Sequence, residues 1–217
     1  MKKNIFAILM VLTALNAFAL NGVITEISGE VEVKNPGSSD FTAASVGEQL
    51  NQAAVISTGF NSTALIQVGS ALLTVRPLTR LTLAEIQAAS GEETLNLNLQ
   101  AGRVRVDLNP PSGTRATMSV SSPNATASVR GTSFEFDTRN IQVFSGSVGF
   151  RGKQNRETRL GAGSGAGIDA QGAVADSFSG GAGSLLPAPP VGTDPSGRTG
   201  RSSSSLTTLR INVNYPQ

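Results

Sequence analysis

The chain has 217 residues, a length that fits one domain with accessory segments or two small domains. It holds 24 Gly, 9 Phe, 1 Tyr and 0 Trp, which marks a turn-rich chain of small side chains; 0 His and 0 Cys exclude a Ser-His-Asp relay, thiolate nucleophiles, thiolate metal sites, disulfides and acylation at a lipoprotein-type cysteine. The formal net charge is +2, but Lys2 and Lys3 supply that surplus, and the remaining 15 basic and 15 acidic residues make no case for nucleic acid.

The N-terminus reads as a secretory signal peptide: Lys2-Lys3, an apolar run from Ile5 to Leu15, then the small-residue site Ala17-Phe18-Ala19. Cleavage is expected after Ala19. The apolar run, broken by Asn16, falls short of the roughly 20 residues that a spanning helix needs. The expected location is therefore the periplasm or outside the cell, and the chain is not expected to be an integral membrane protein.

From residue 22 to about 151 the pattern is alternation with period two, in short runs separated by Gly, Pro, Asn and Ser. Val31 and Val33 come first, then Ile66 and Val68, Leu73 and Val75, Leu81 and Leu83, and the series Leu95, Leu97, Leu99. Val104, Val106 and Leu108 follow, then Met118 and Val120, Phe134 and Phe136, Ile141 and Val143, and Val148 and Phe150. Each run is too short to bury much alone, so the runs must stack. The spacing predicts an all-β chain, as a rolled β-sandwich, a barrel or a short distorted β-solenoid of many short strands. No exact repeat period is visible. The one helix-like stretch, Leu83 to Ala89, is too short to stand alone.

Beyond Phe150 the composition changes. Residues 161–205 are rich in Gly, Ser, Ala and Pro and are expected to be flexible, and Leu206 to Val213 reads as one last strand able to add to a sheet edge. The expected organisation is a signal peptide at 1–19, an all-β domain at 20–160, a flexible segment at 161–205 and a C-terminal strand at 206–217.

Several stretches of the alternating region resemble one family. Val46-Gly47-Glu48-Gln49-Leu50, Val55-Ile56-Ser57-Thr58-Gly59 and Asn61-Ser62-Thr63-Ala64 are followed by Val75-Arg76-Pro77-Leu78-Thr79-Arg80-Leu81 and Ala101-Gly102-Arg103-Val104. The series closes with Val129-Arg130-Gly131-Thr132-Ser133-Phe134 and Phe144-Ser145-Gly146-Ser147-Val148. In that order these pieces resemble the FecR-type periplasmic domain over residues 22–151. The acidic residue often found before Gly-Ser in the family is absent at Val68-Gly69-Ser70. The iron-dicitrate regulators of the family carry a cytoplasmic anti-sigma segment and a membrane helix ahead of this domain, where this sequence has only the signal peptide. Direct control of a sigma factor across the inner membrane is therefore not expected.

Two groups of residues are candidates for partner binding. At Arg130-Gly131-Thr132 the guanidinium can fork onto a carboxylate or glycan with Gly131 allowing close approach; alternatively Gly131 makes a strand corner and Thr132 bonds nearby backbone. Arg103 and Arg105 share one face of a strand, which Arg76, Arg80 and Arg115 could extend, or which is simply a solvated face paired with Glu135 and Asp137. Carboxylates at Glu85, Glu92, Glu93, Asp107, Glu135 and Asp137 show no spacing that sets two of them across a cleft. No catalytic residue, metal or cofactor is predicted. The expected function is an exported, non-enzymatic interaction module that binds an envelope protein in signalling or assembly; the alternative is a structural protein that binds peptidoglycan or another cell-wall glycan.

Overall fold

Strands that alternate apolar and polar side chains can bury one face only, and two such sheets satisfy each other by stacking. The computed structural model describes residues 21–89, 91–154 and 156–179, and the expected signal peptide and C-terminal strand lie outside them. The strands are β1 (Gly22–Ser28), β2 (Val31–Lys34), β3 (Thr42–Ala43), β4 (Gln49–Leu50), β5 (Val55–Thr58), β6 (Thr63–Val68), β7 (Ala71–Val75), β8 (Arg80–Ala89) and β9 (Glu92–Ala101). They continue as β10 (Arg103–Leu108), β11 (Arg115–Ser121), β12 (Ala125–Val129), β13 (Ser133–Asp137), β14 (Asn140–Ser145), β15 (Ser147–Gly152), β16 (Glu157–Gly161), β17 (Ser164–Ile168) and β18 (Val174–Ser179).

The chain crosses between two sheets after every one or two strands. The first sheet runs β18-β17-β14-β13-β10-β7-β6-β1-β4 and the second β16-β15-β12-β11-β9-β8-β5-β2-β3, and neither closes into a barrel. Neighbours pair antiparallel, except that β9 and β11 pair parallel because β10, between them in sequence, belongs to the other sheet. The fold is all-β, as expected, and of the expected forms it is two stacked sheets that the chain rolls up by repeated crossing, not a barrel.

Every alternating apolar pair named from the sequence faces the core, with Phe134, Phe136 and Phe150 its largest fully buried side chains. Phe136 and Phe150 meet edge to face at 6.1 Å, which joins β13 of the first sheet to β15 of the second. The helix-like stretch is strand. Leu83 pairs with Leu97 but Glu85 pairs with Asn96, so Ala84 is an extra residue in a β-bulge that puts Leu83 and Ile86, three apart, on one buried face. A bulge in a strand thus mimics helical spacing.

One boundary moves. Of the segment 161–205 expected to be flexible, the described part forms β17 and β18, with Ala166 and Ile168 buried, and residues 180–205 lie outside the described residues. Its intervening positions, Gly165 and Gly167, lie against Gln142 and Asn140 of β14, so alternation is present but written in small residues.

Candidate functional site

The strand registers define two ends of the sandwich. One carries the corners at Gly29, Gly59 to Ser62, Arg76 to Thr79 and Gly102, with the turn between β13 and β14; the other carries Gly69-Ser70, Arg130 to Thr132 and Gly146. The corners are built alike. Ser62, Thr79 and Thr132 are buried hydroxyls, and across from them stand Gly29, Gly102 and Gly146 with φ of +78°, +83° and +79°. Glu30 N–H donates to Ser62 Oγ at 2.8 Å, Arg103 N–H to Thr79 Oγ1 at 2.9 Å, and Thr132 Oγ1 donates to the Ser147 carbonyl at 3.0 Å. Each hydroxyl thus satisfies backbone that a sheet-to-sheet crossing would leave unpaired.

At the Phe60 end, the outer face of the first sheet holds a ladder of charge. Glu135 on β13 accepts from Arg76 Nη2 at 3.2 Å and from Arg103 Nη1 at 3.3 Å. Asp137 lies 3.9 Å from Arg103 Nη2, and its Oδ1 caps the turn by accepting the N–H groups of Arg139 at 2.7 Å and Asn140 at 2.6 Å. Further along β10, Arg105 donates twice to Asp107 and lies 4.5 Å from the centre of the Phe144 ring. Burial pushes the Asp107 carboxyl up, but hydrogen bonds from Ser133 and Arg105 and the Arg105 charge outweigh it and hold its pKa below the ordinary value of 3.8.

These residues frame an open cleft of about 600 Å³ lined by Arg76, Pro77, Arg103, Glu135, Asp137 and Arg139. Among the described residues Arg139 makes no ion pair. Beside the cleft, Leu78 follows Pro77 and donates its N–H to the Gly59 carbonyl at 3.2 Å, which brings two corners together. Phe60 and Leu78, at those corners, are 76% and 61% exposed, and Leu78 holds φ at +55°. For a branched side chain this left-handed conformation costs roughly 1–2 kcal/mol.

The structure separates the two groups of candidate residues. Arg103 and Arg105 belong to the first sheet, with Arg103 at the Phe60 end; Arg130 and Gly131 follow β12 of the second sheet at the opposite end. Arg130 and Gly131 are exposed, whereas Thr132 is 1% exposed with its hydroxyl bonded to backbone, so it offers a partner nothing. Arg80 extends no basic face with Arg103: it lies on the second sheet, 5.3 Å from the centre of the Phe41 ring. Arg115 pairs with Glu92 at 3.6 Å. Glu135 and Asp137 stand side by side on one strand, each engaged by arginine, rather than facing each other across the cleft. Phe60, Leu78 and Arg139 were not singled out by pattern. The available signal was a large apolar residue placed in each of two turns, Gly59-Phe60-Asn61 and Pro77-Leu78-Thr79.

Compared with known proteins, residues 54–149 match the sequence profile of the family described as FecR protein. Among curated proteins none matches this sequence. Two crystal structures of a candidate anti-sigma factor from Parabacteroides distasonis resemble the fold with a TM-score of 0.46 and 15% sequence identity, over 56% of this chain and 57% of theirs. The chain therefore spans little more than half the length of that protein.

Proposed function

We propose, from the FecR domain that this chain carries at residues 54–149, that it is an exported, non-enzymatic interaction module taking a protein partner at its Phe60 end, in envelope signalling or assembly. The observation that carries this reading is Leu78. A large apolar side chain stands in solvent on a left-handed backbone, one residue after Pro77 of the arginine-lined cleft, and its N–H bonds the Gly59 carbonyl that precedes exposed Phe60. Nothing in the fold gains from leucine there, since Gly or Asn would hold the same turn at less cost. A partner that covers Phe60 and Leu78 recovers about 1.5–3 kcal/mol for each side chain, and arginines around an apolar anchor are a common interface arrangement. The partner segment that fits is an apolar side chain next to a carboxylate, which Arg139 and the half-exposed Arg76 and Arg103 can receive.

The test is site-specific photocrosslinking in intact cells with the full-length chain, the reactive residue placed at position 60, 78 or, as a control, 37 in the exposed turn between β2 and β3. One envelope protein captured from 60 and 78 but not from 37, and lost on Arg103→Gln, supports the reading. Equal adducts from all three positions, or none from 60 and 78, overturn it. Export is tested separately by intact mass: secreted material should begin at Leu20.

A further inference from the structure

The second sheet has an outer face of a different chemistry. One outward row runs across five strands, with Asn96 beside Ser119, Ser119 beside Ser128, Ser128 beside Gly149 and Gly149 beside Arg159. At about 4.8 Å per strand the row spans roughly 19 Å. The next row runs through Asn98, Ser121 and Thr126 and ends on Arg151 and Glu157. Asn and Gly are depleted from strands, where Thr, Val and aromatics fit better, so Asn96, Asn98 and Gly149 go against local preference on the exposed side of well-paired strands.

The Gly149 end of the first row opens into a second cleft of about 240 Å³, lined by Thr117, Ser128, Arg130, Gly149, Glu157 and Arg159. Gly149 is not in a left-handed conformation, so its backbone does not call for glycine; a Cβ there would meet the Glu157 carboxylate at 2.5 Å. Among the described residues neither Arg130 nor Arg159 makes an ion pair. The cleft therefore offers two guanidinium groups against one carboxylate, at the end of a flat field of hydroxyls and amides.

We propose that this face binds peptidoglycan, with sugar hydroxyls on the Ser, Thr and Asn rows and a carboxylate of the wall polymer in the Arg130–Arg159 cleft. The rows carry no large apolar or aromatic anchor of the kind that gives a protein interface its affinity, which argues against a protein there. Arg130, Arg151 and Arg159 set against Glu157 are too few for a polyanion held by charge alone. Hydroxyl and amide groups exchange hydrogen bonds with sugar hydroxyls, and the arginine fork matches a carboxylate. Single contacts of this kind are weak, and a repeating polymer multiplies them. The choice of peptidoglycan rests on the exported location proposed above; the face itself does not.

Sedimentation of the mature protein with purified peptidoglycan sacculi tests this in vitro, so a negative result leaves the Phe60-end reading untouched. The expected result is cosedimentation that falls at least fivefold in Arg130→Gln/Arg159→Gln and in Ser119→Glu, rises in Glu157→Gln, and is unchanged in Leu78→Asn. Sacculi whose carboxylates have been amidated should retain little protein. Protein left in the supernatant, binding indifferent to the arginine pair or to amidation, or binding to soluble polygalacturonate but not to sacculi overturns the proposal. Circular dichroism of each variant separates lost binding from lost fold.

Discussion

Thr79 holds Arg103 by both of its backbone polar groups: its hydroxyl accepts the Arg103 N–H at 2.9 Å and donates to the Arg103 carbonyl at 3.1 Å. The contact is possible because residue 102 has no side chain. A Cβ on Gly102 would come within 2.5 Å of Thr79 Cα and 2.6 Å of the Leu78 carbonyl, on a backbone already at φ +83°. The corner that positions Arg103 in the cleft thus depends on glycine twice, for conformation and for space.

Gly102→Ala is expected to cost about 2 kcal/mol or more, combining left-handed strain with displacement of the Thr79 corner. Gly47→Ala is the control, since Gly47 has φ +87° but nothing within 4 Å of its Cβ position. It should show the strain alone, about 1 kcal/mol. Urea unfolding of the two variants measures the difference, and equal losses would mean that the close approach to Thr79 contributes nothing.

Leu78→Asn is expected to leave stability unchanged or raise it by up to ~1 kcal/mol, because Asn accepts the left-handed conformation more readily than Leu. Partner capture should fall in the same variant. A stabilised protein that no longer captures its partner is the signature of a residue kept for binding; a loss of stability would instead assign Leu78 to the fold.

The buried half of this fold was legible in the sequence because alternation is strict where side chains are large: Leu95, Leu97, Leu99 or Phe134, Phe136. It failed where small residues carry the pattern, as at Gly165, Ala166 and Gly167 of β17, and where the Ala84 bulge shifted the period. The corner repeat of a buried hydroxyl against a left-handed glycine also escaped, since Gly102 and Thr79 are 23 positions apart and the other pairs have different separations. For the candidate site, Arg103 and its carboxylate partners followed from strand alternation, while Phe60 and Leu78 did not. Turn residues obey no period, so their exposure is set by the folded arrangement of the corners and not by the sequence pattern.

The ladder Arg76–Glu135–Arg103 is expected to contribute little to stability. Arg76 and Arg103 are 44% and 43% exposed, and pairs of that kind contribute roughly 0–1 kcal/mol. Glu135→Gln should therefore lower stability by less than about 1 kcal/mol, with the loss shrinking at about 0.5 M salt. A larger, salt-insensitive loss would make Glu135 a structural bridge rather than part of an adaptable surface.

Asp107 should give the domain an acid-sensitive component of stability. Its carboxylate is held by Ser133 and by the bidentate Arg105, which also lies against the Phe144 ring, and its pKa in the folded protein lies below the ordinary 3.8 despite partial burial. A lowered pKa means that the native state favours the charged form more than the unfolded chain does. The contribution is fully present above about pH 4 to 5 and is lost as pH falls through 3.8 and then through the lower folded value. Asp107→Asn keeps the size and an acceptor for Ser133 but removes the charge. At about pH 7 it should be less stable than the parent, and the gap should close as pH falls through 3.8 and the lowered folded value. Denaturant unfolding of both proteins across that range measures the gap, and a gap independent of pH would show that the hydrogen-bond geometry at Asp107, not its charge, holds β10 to β13.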